Sequence, residues 1–125
     1  MTVSREGVVR IEFPANPRYA SVVRVAVTSA ASVYESAPES ADLSSAVSEA
    51  LVLAGLDGGS TGTCSVEIRL APAGARAIVT GPGGEIDQDT DMARLVLTGL
   101  TDGFDESKAD GLVTVMFDKA FASVQ

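Results

Sequence analysis

SVEIRLAPAGARAIVTGPGG, residues 65–84, is the stretch on which the fold turns. Val66, Ile68 and Leu70 alternate with Glu67 and Arg69, the period of two expected of a strand with one buried face. APAG at 71–74 turns the chain, and Ala75 to Thr80 returns as a second strand, so the segment reads as a β-hairpin. GPGGEIDQDTD, 81–91, then reads as a loop of glycines and acids.

Upstream of the hairpin the period changes. Leu43, Ala46, Val47, Ala50, Leu51 and Ala54 recur at helical spacing, which predicts an amphipathic helix over 40–54, capped by Ser40 and stopped by Gly55. LDGGSTGT, 56–63, is a turn region, and Glu35 to Glu39 is a connector broken by Pro38. Asn16-Pro17 opens an earlier helix over about 17–34, Asn capping and Pro at the first helical position. Val8, Val9, Ile11 and Phe13 form a strand that Pro14 ends.

Downstream, Met92, Leu95, Val96 and Leu100 space as a third helix ending near Thr101. A short strand begins at Phe104, Lys108 to Gly111 turns, and LVTVMF at 112–117 is the last strand. The order β-α-α-β-β-α-β-β over 1–125 predicts one α+β domain, a mostly antiparallel sheet with helices on one face.

Composition narrows the chemistry. The 125 residues hold no His and one Cys, Cys64, which excludes imidazole metal sites, Ser-His-Asp and Cys-His catalytic sets, an internal disulfide and a thiolate zinc cluster. Seventeen acidic against nine basic residues, a formal charge of −8, argue against binding to nucleic acid. No run approaches the ~18 apolar residues of a membrane span, and MTVSREGVVRIEF has no secretory h-region. With the lone cysteine this fits the cytoplasm, the expected location.

Two places could carry chemistry. Glu49 sits on the second helix, with Leu53 four residues on along the same side. Gly81-Pro82-Gly83-Gly84 follows a strand and precedes a helix, where backbone can approach a phosphate, but no Lys follows as in a P-loop. Glu85, Asp87, Asp89 and Asp91 lack the later bidentate Glu of a calcium loop and read as an acidic loop.

Taken in order, FPANPRYASVVRVAV, DLSSAVSEALVLAG, SVEIRLAPAGARAIVTGPGG, MARLVLTGLTDGFD and GLVTVMFDKAF resemble the serine/threonine-kinase anti-sigma factors of the GHKL ATPase superfamily. The resemblance covers nearly the whole chain. It implies a two-layer histidine-kinase-like (Bergerat-type) fold with a mostly antiparallel or mixed sheet. It also implies an ATP and Mg²⁺ site, and a sigma factor or an antagonist protein as partner. A homodimer paired through the sheet side of the first strand and helix is a further implication.

Residue by residue, the resemblance implies Glu49 as the base that activates attack on the γ-phosphate. The family's Mg²⁺-holding asparagine falls on Leu53, and its adenine-binding aspartate on Gly81. The glycine after that aspartate falls on Gly83, and the Gly-x-Gly that ends the lid, 84–91, falls on Asp91 and Ala93. Leu53 and Gly81 offer no oxygen ligand, and Asp91 repels a triphosphate. The expectation is a degenerate member with no cofactor, a regulator that acts by binding protein. The alternatives are an active ATP-dependent anti-sigma-factor serine kinase and an unrelated small α+β binding protein.

Overall fold

The computed structural model describes residues 2–3, 7–33, 37–56, 61–83 and 88–121. The strands are β1 (Thr2–Val3), β2 (Val8–Pro14), β3 (Thr63–Ala71), β4 (Gly74–Gly81), β5 (Gly103–Ala109) and β6 (Leu112–Ala120). The helices are α1 (Ala20–Ala31), α2 (Ala37–Leu53) and α3 (Gln88–Leu100). The protein is α+β, and its sheet is antiparallel at every pairing, in the order β1-β2-β3-β4-β6-β5. No parallel pairing occurs among the described residues, so the mixed sheet allowed by the resemblance is not seen there.

Strand alternation sorts the two sheet faces. Val9, Ile11, Phe13, Cys64, Val66, Ile68, Leu70, Ala77, Val79, Val115 and Phe117 all point to one side and are buried. There they meet Val23 and Val27 of α1, Leu43, Val47 and Leu51 of α2, and Ala93 and Leu97 of α3. The helices lie side by side, α2 between α1 and α3, with α2 on β4 and β6 and α3 on β5. The core is aliphatic, and its removal from water, worth ~25 cal/mol per Å², is the main force holding the layers together. Cys64 belongs to this core, and burial pushes its thiol up to about 11, which leaves it protonated at neutral pH.

Several boundaries differ from expectation for local reasons. The first helical segment opens where Asn16-Pro17 placed it, with Asn16 Oδ1 accepting from the Arg18 amide at 2.9 Å. Its first turn, Pro17–Tyr19, is 3₁₀, and the α-helix ends at Ala31 rather than 34. Helix α2 starts at Ala37, not Ser40, because Pro38 falls in the first turn, where a missing N–H costs nothing. Ser40 is therefore inside the helix and buried rather than capping it. The strand expected from Phe104 runs seven residues, Gly103–Ala109, and Asp110 and Gly111 alone make its turn. Both adopt positive φ, 55° and 77°, the left-handed pair that a two-residue hairpin loop needs.

Candidate functional site

Two of the segments that carry the implied nucleotide site, the end of α2 and the glycine loop after β4, meet at the C-terminal end of α2. There the chain closes in a Schellman turn: Gly55 N donates to Val52 O at 3.2 Å and Leu56 N to Leu51 O at 3.0 Å. Gly55 takes φ +95°, and Leu56 packs into the core beside Leu51. This leaves the Ala54 carbonyl pointing out of the helix. It accepts from the Gly83 amide at 2.8 Å, so the glycine loop after β4 caps α2.

Three glycines make that approach feasible. A Cβ on Gly81 would fall inside the contact distance of the Ala54 carbonyl oxygen and 3.1 Å from its carbon. A Cβ on Gly55 would run into the Gly83 backbone, 2.8 Å from Gly83 Cα, and a Cβ on Gly83 would lie 2.9 Å from Val113 Cγ2. Gly81 and Gly83, read from the sequence as nucleotide-site positions, are here packing positions. Gly55, read only as a helix stop, is the third member. The sequence signal for it was its spacing to Gly81 and Gly83, which means nothing until α2 is laid against β4.

The remaining positions follow the same pattern. Leu53, where the resemblance implies the Mg²⁺ ligand, is buried in the core, and so is Ala93. The sequence reading kept 81–91 as a loop and began the third helix at Met92. In the structure α3 begins at Gln88, so Asp91 and Ala93 lie inside it, and residues 84–87 of the expected lid lie outside the described residues. This is the correction to the lid reading: beyond its first four residues a helix has spent its N–H groups on its own ladder, and Ala93 has none to offer a phosphate. The cause is the polar, well-capping run ahead of Met92, which starts a helix as readily as it makes a loop. Asp91 is exposed and pairs with Arg94 at 3.2 Å; Arg94 in turn grips Glu106 of β5 at 2.6 Å.

Glu49 is half-buried on the outer side of α2, and burial raises its carboxyl above the ordinary glutamate value. The sign of the consequence is fixed. Well below pH 4.5 both folded and unfolded chains are protonated there and Glu49 costs nothing; the cost grows as pH rises through that range and levels off above the raised folded value. Glu49→Gln is expected to melt higher than the wild type at pH 7, by a degree or two, and level with it at pH 3.5. A lower melting temperature at pH 7 would mean that the carboxylate has a stabilising partner.

At the positions that the resemblance implies for Mg²⁺-ATP, Leu53 is a buried leucine, Gly81 has no room for a side chain, and the Gly83 amide is bonded to Ala54. Among the described residues no group of three or more His, Cys, Asp or Glu could hold a metal ion, and no helix is long and apolar enough to cross a membrane. Neither a family model nor any curated protein matches the chain.

Proposed function

We propose that this chain is a cytoplasmic regulator of the anti-sigma-factor kinase type that acts by binding protein, with its nucleotide position closed by its own backbone. The carrying observation is the Gly83–Ala54 hydrogen bond, with Gly55 and Gly81 packed around it. It lies beside Gly81, the position that the resemblance implies for the adenine contact, and it joins the end of α2 to the loop after β4. The partner classes that the resemblance implies are a sigma factor and an antagonist protein. The chain's charge of −8 suits a basic partner face, since opposite potentials speed encounter.

Thermal unfolding with Mg²⁺-ATP tests the closed site. No rise in melting temperature is expected at millimolar nucleotide, and a rise of several degrees overturns the proposal, because a ligand bound at a hundred times its Kd adds about 2.7 kcal/mol. Affinity capture from the native cytoplasm tests the class: recovery of a sigma factor or an antagonist-type domain is the expected result.

The second reading, an active serine kinase, draws on Glu49. A half-buried carboxyl raised by burial holds a proton more readily than an exposed one, as a general base does. It demands phosphate transfer from ATP to a serine of an antagonist domain, lost in Glu49→Gln.

A further inference from the structure

Helices α2 and α3 lie side by side, and the groove between them is open on the side away from the sheet. Ser44 Oγ of α2 donates to the Arg24 carbonyl of α1 at 3.4 Å, so the Ser44 flank of α2 faces α1. Asp42 and Glu49, seven residues apart, lie on the opposite flank, toward α3, beside buried Ala46 and Leu53. On α3, Arg94 reaches Glu106 of β5, which marks the flank turned away from α2. Met92, Leu95 and Gly99, at i, i+3 and i+7, form a row on the flank toward α2.

The two walls differ in chemistry. The α3 wall is apolar and open: Met92 is 59% exposed, Leu95 is 68% exposed, and a Cβ on Gly99 would meet nothing within 4 Å. The outer face of a surface helix is ordinarily polar, so this row departs from the pattern. The α2 wall carries Asp42 and Glu49, and neither has an ion-pair partner among the described residues. Burial alone acts on the Glu49 carboxyl, with no cation to offset it. A chain that keeps a half-buried carboxylate at a cost in stability is expected to use it.

We infer that the α2–α3 groove receives an amphipathic helix of a different protein, its lysines or arginines at seven-residue spacing on Asp42 and Glu49 and its apolar stripe on Met92, Leu95 and Gly99. Seven residues of helix rise about 10.5 Å on either partner, so both cations meet a carboxylate at once. Rows at i, i+3 and i+7 seat one helix along another, and Gly99 leaves space for a large apolar side chain of the incoming helix. The two carboxylates select the helix that enters, since an acidic one is repelled.

Charge also excludes this chain's own helices as the occupant. Helix α2 has no Lys or Arg, α1 has only Arg24, and α3 has only Arg94, which Asp91 and Glu106 already hold. No described helix of a second copy can bring two free cations at the required spacing. The inference rests on the reading of the chain as a regulator that binds protein, and it adds the face and the chemistry of the partner.

Fluorescence anisotropy of the full chain tests it with a labelled synthetic helix of about 18 residues, alanine-rich, with a leucine stripe and two lysines seven apart. Saturable binding with a Kd of roughly 100 µM or tighter is expected at physiological salt. Asp42→Asn with Glu49→Gln should weaken it about tenfold, and Leu95→Asp about as much. Asp105→Asn with Asp110→Asn, which removes the same charge from exposed positions on the β5 hairpin, should leave it unchanged. A peptide with glutamates in place of the lysines should not bind. No binding at millimolar peptide, equal weakening by the two charge pairs, or binding of the glutamate peptide overturns the inference. Asp42 and Leu95 are exposed, so their variants keep the fold. Failure here removes the groove as a docking face and leaves the closed nucleotide position standing, which the Mg²⁺-ATP melting shift reads separately.

Discussion

Gly81→Asp, the substitution that writes in the adenine-binding aspartate the resemblance implies at this position, is expected to destabilise the protein strongly rather than create a site. The new Cβ would meet the Ala54 carbonyl, which is backbone and already bonded to Gly83, so neither partner can yield cheaply. The carboxylate would start from a buried position at the end of β4. Overpacking against backbone together with a charge brought toward the core predicts a loss of about 3 kcal/mol or more. For a domain of this length that is a fall in melting temperature of roughly 10 °C or more. Thermal and urea unfolding measure it. A variant that keeps its stability and gains a Mg²⁺-ATP shift would show that α2 swings clear of Gly81 at little cost, and the closed site would be wrong.

Leu53→Asn is the second large effect. Leu53 is 6% exposed and packs in the core at the end of α2. Asparagine there loses the transfer energy of the leucine side chain, leaves space behind it, and buries an amide with no donor or acceptor built to meet it. The sum is about 3 kcal/mol. Mg²⁺, alone or with ATP, should not restore the loss. Restoration by Mg²⁺-ATP, read as a ligand-dependent rise in the urea midpoint, would show that the position still faces a metal.

The element order was legible because period carries it. Val66, Ile68 and Leu70, and the helical set from Leu43 to Ala54, point where the structure places them. Errors fell where local chemistry is ambiguous. Pro38 reads as a breaker unless it sits in a first turn, and QDTD reads as a loop unless its carboxylates open a helix. Strand β5, GFDESKA, was hard to see in full because an edge strand that packs only Phe104 shows little alternation. At the candidate site, the absence of side-chain ligands at Leu53 and Gly81 was visible in the sequence. Its physical reason was not, because the Ala54–Gly83 contact joins residues far apart in the chain and has no local signature.

The Schellman turn at Gly55 has a consequence for how this sequence could change. Gly55 is closed against the Gly83 backbone and Gly81 against the Ala54 carbonyl, so the backbone across each contact fixes what the glycine can become. A chain one substitution away at Gly55 or Gly81 carries the clash without a rearranged α2 to relieve it. Any route toward a nucleotide pocket must therefore shift the end of α2 first, and the order of steps matters as much as their identity. The knot acts as a ratchet on the sequences reachable from this one.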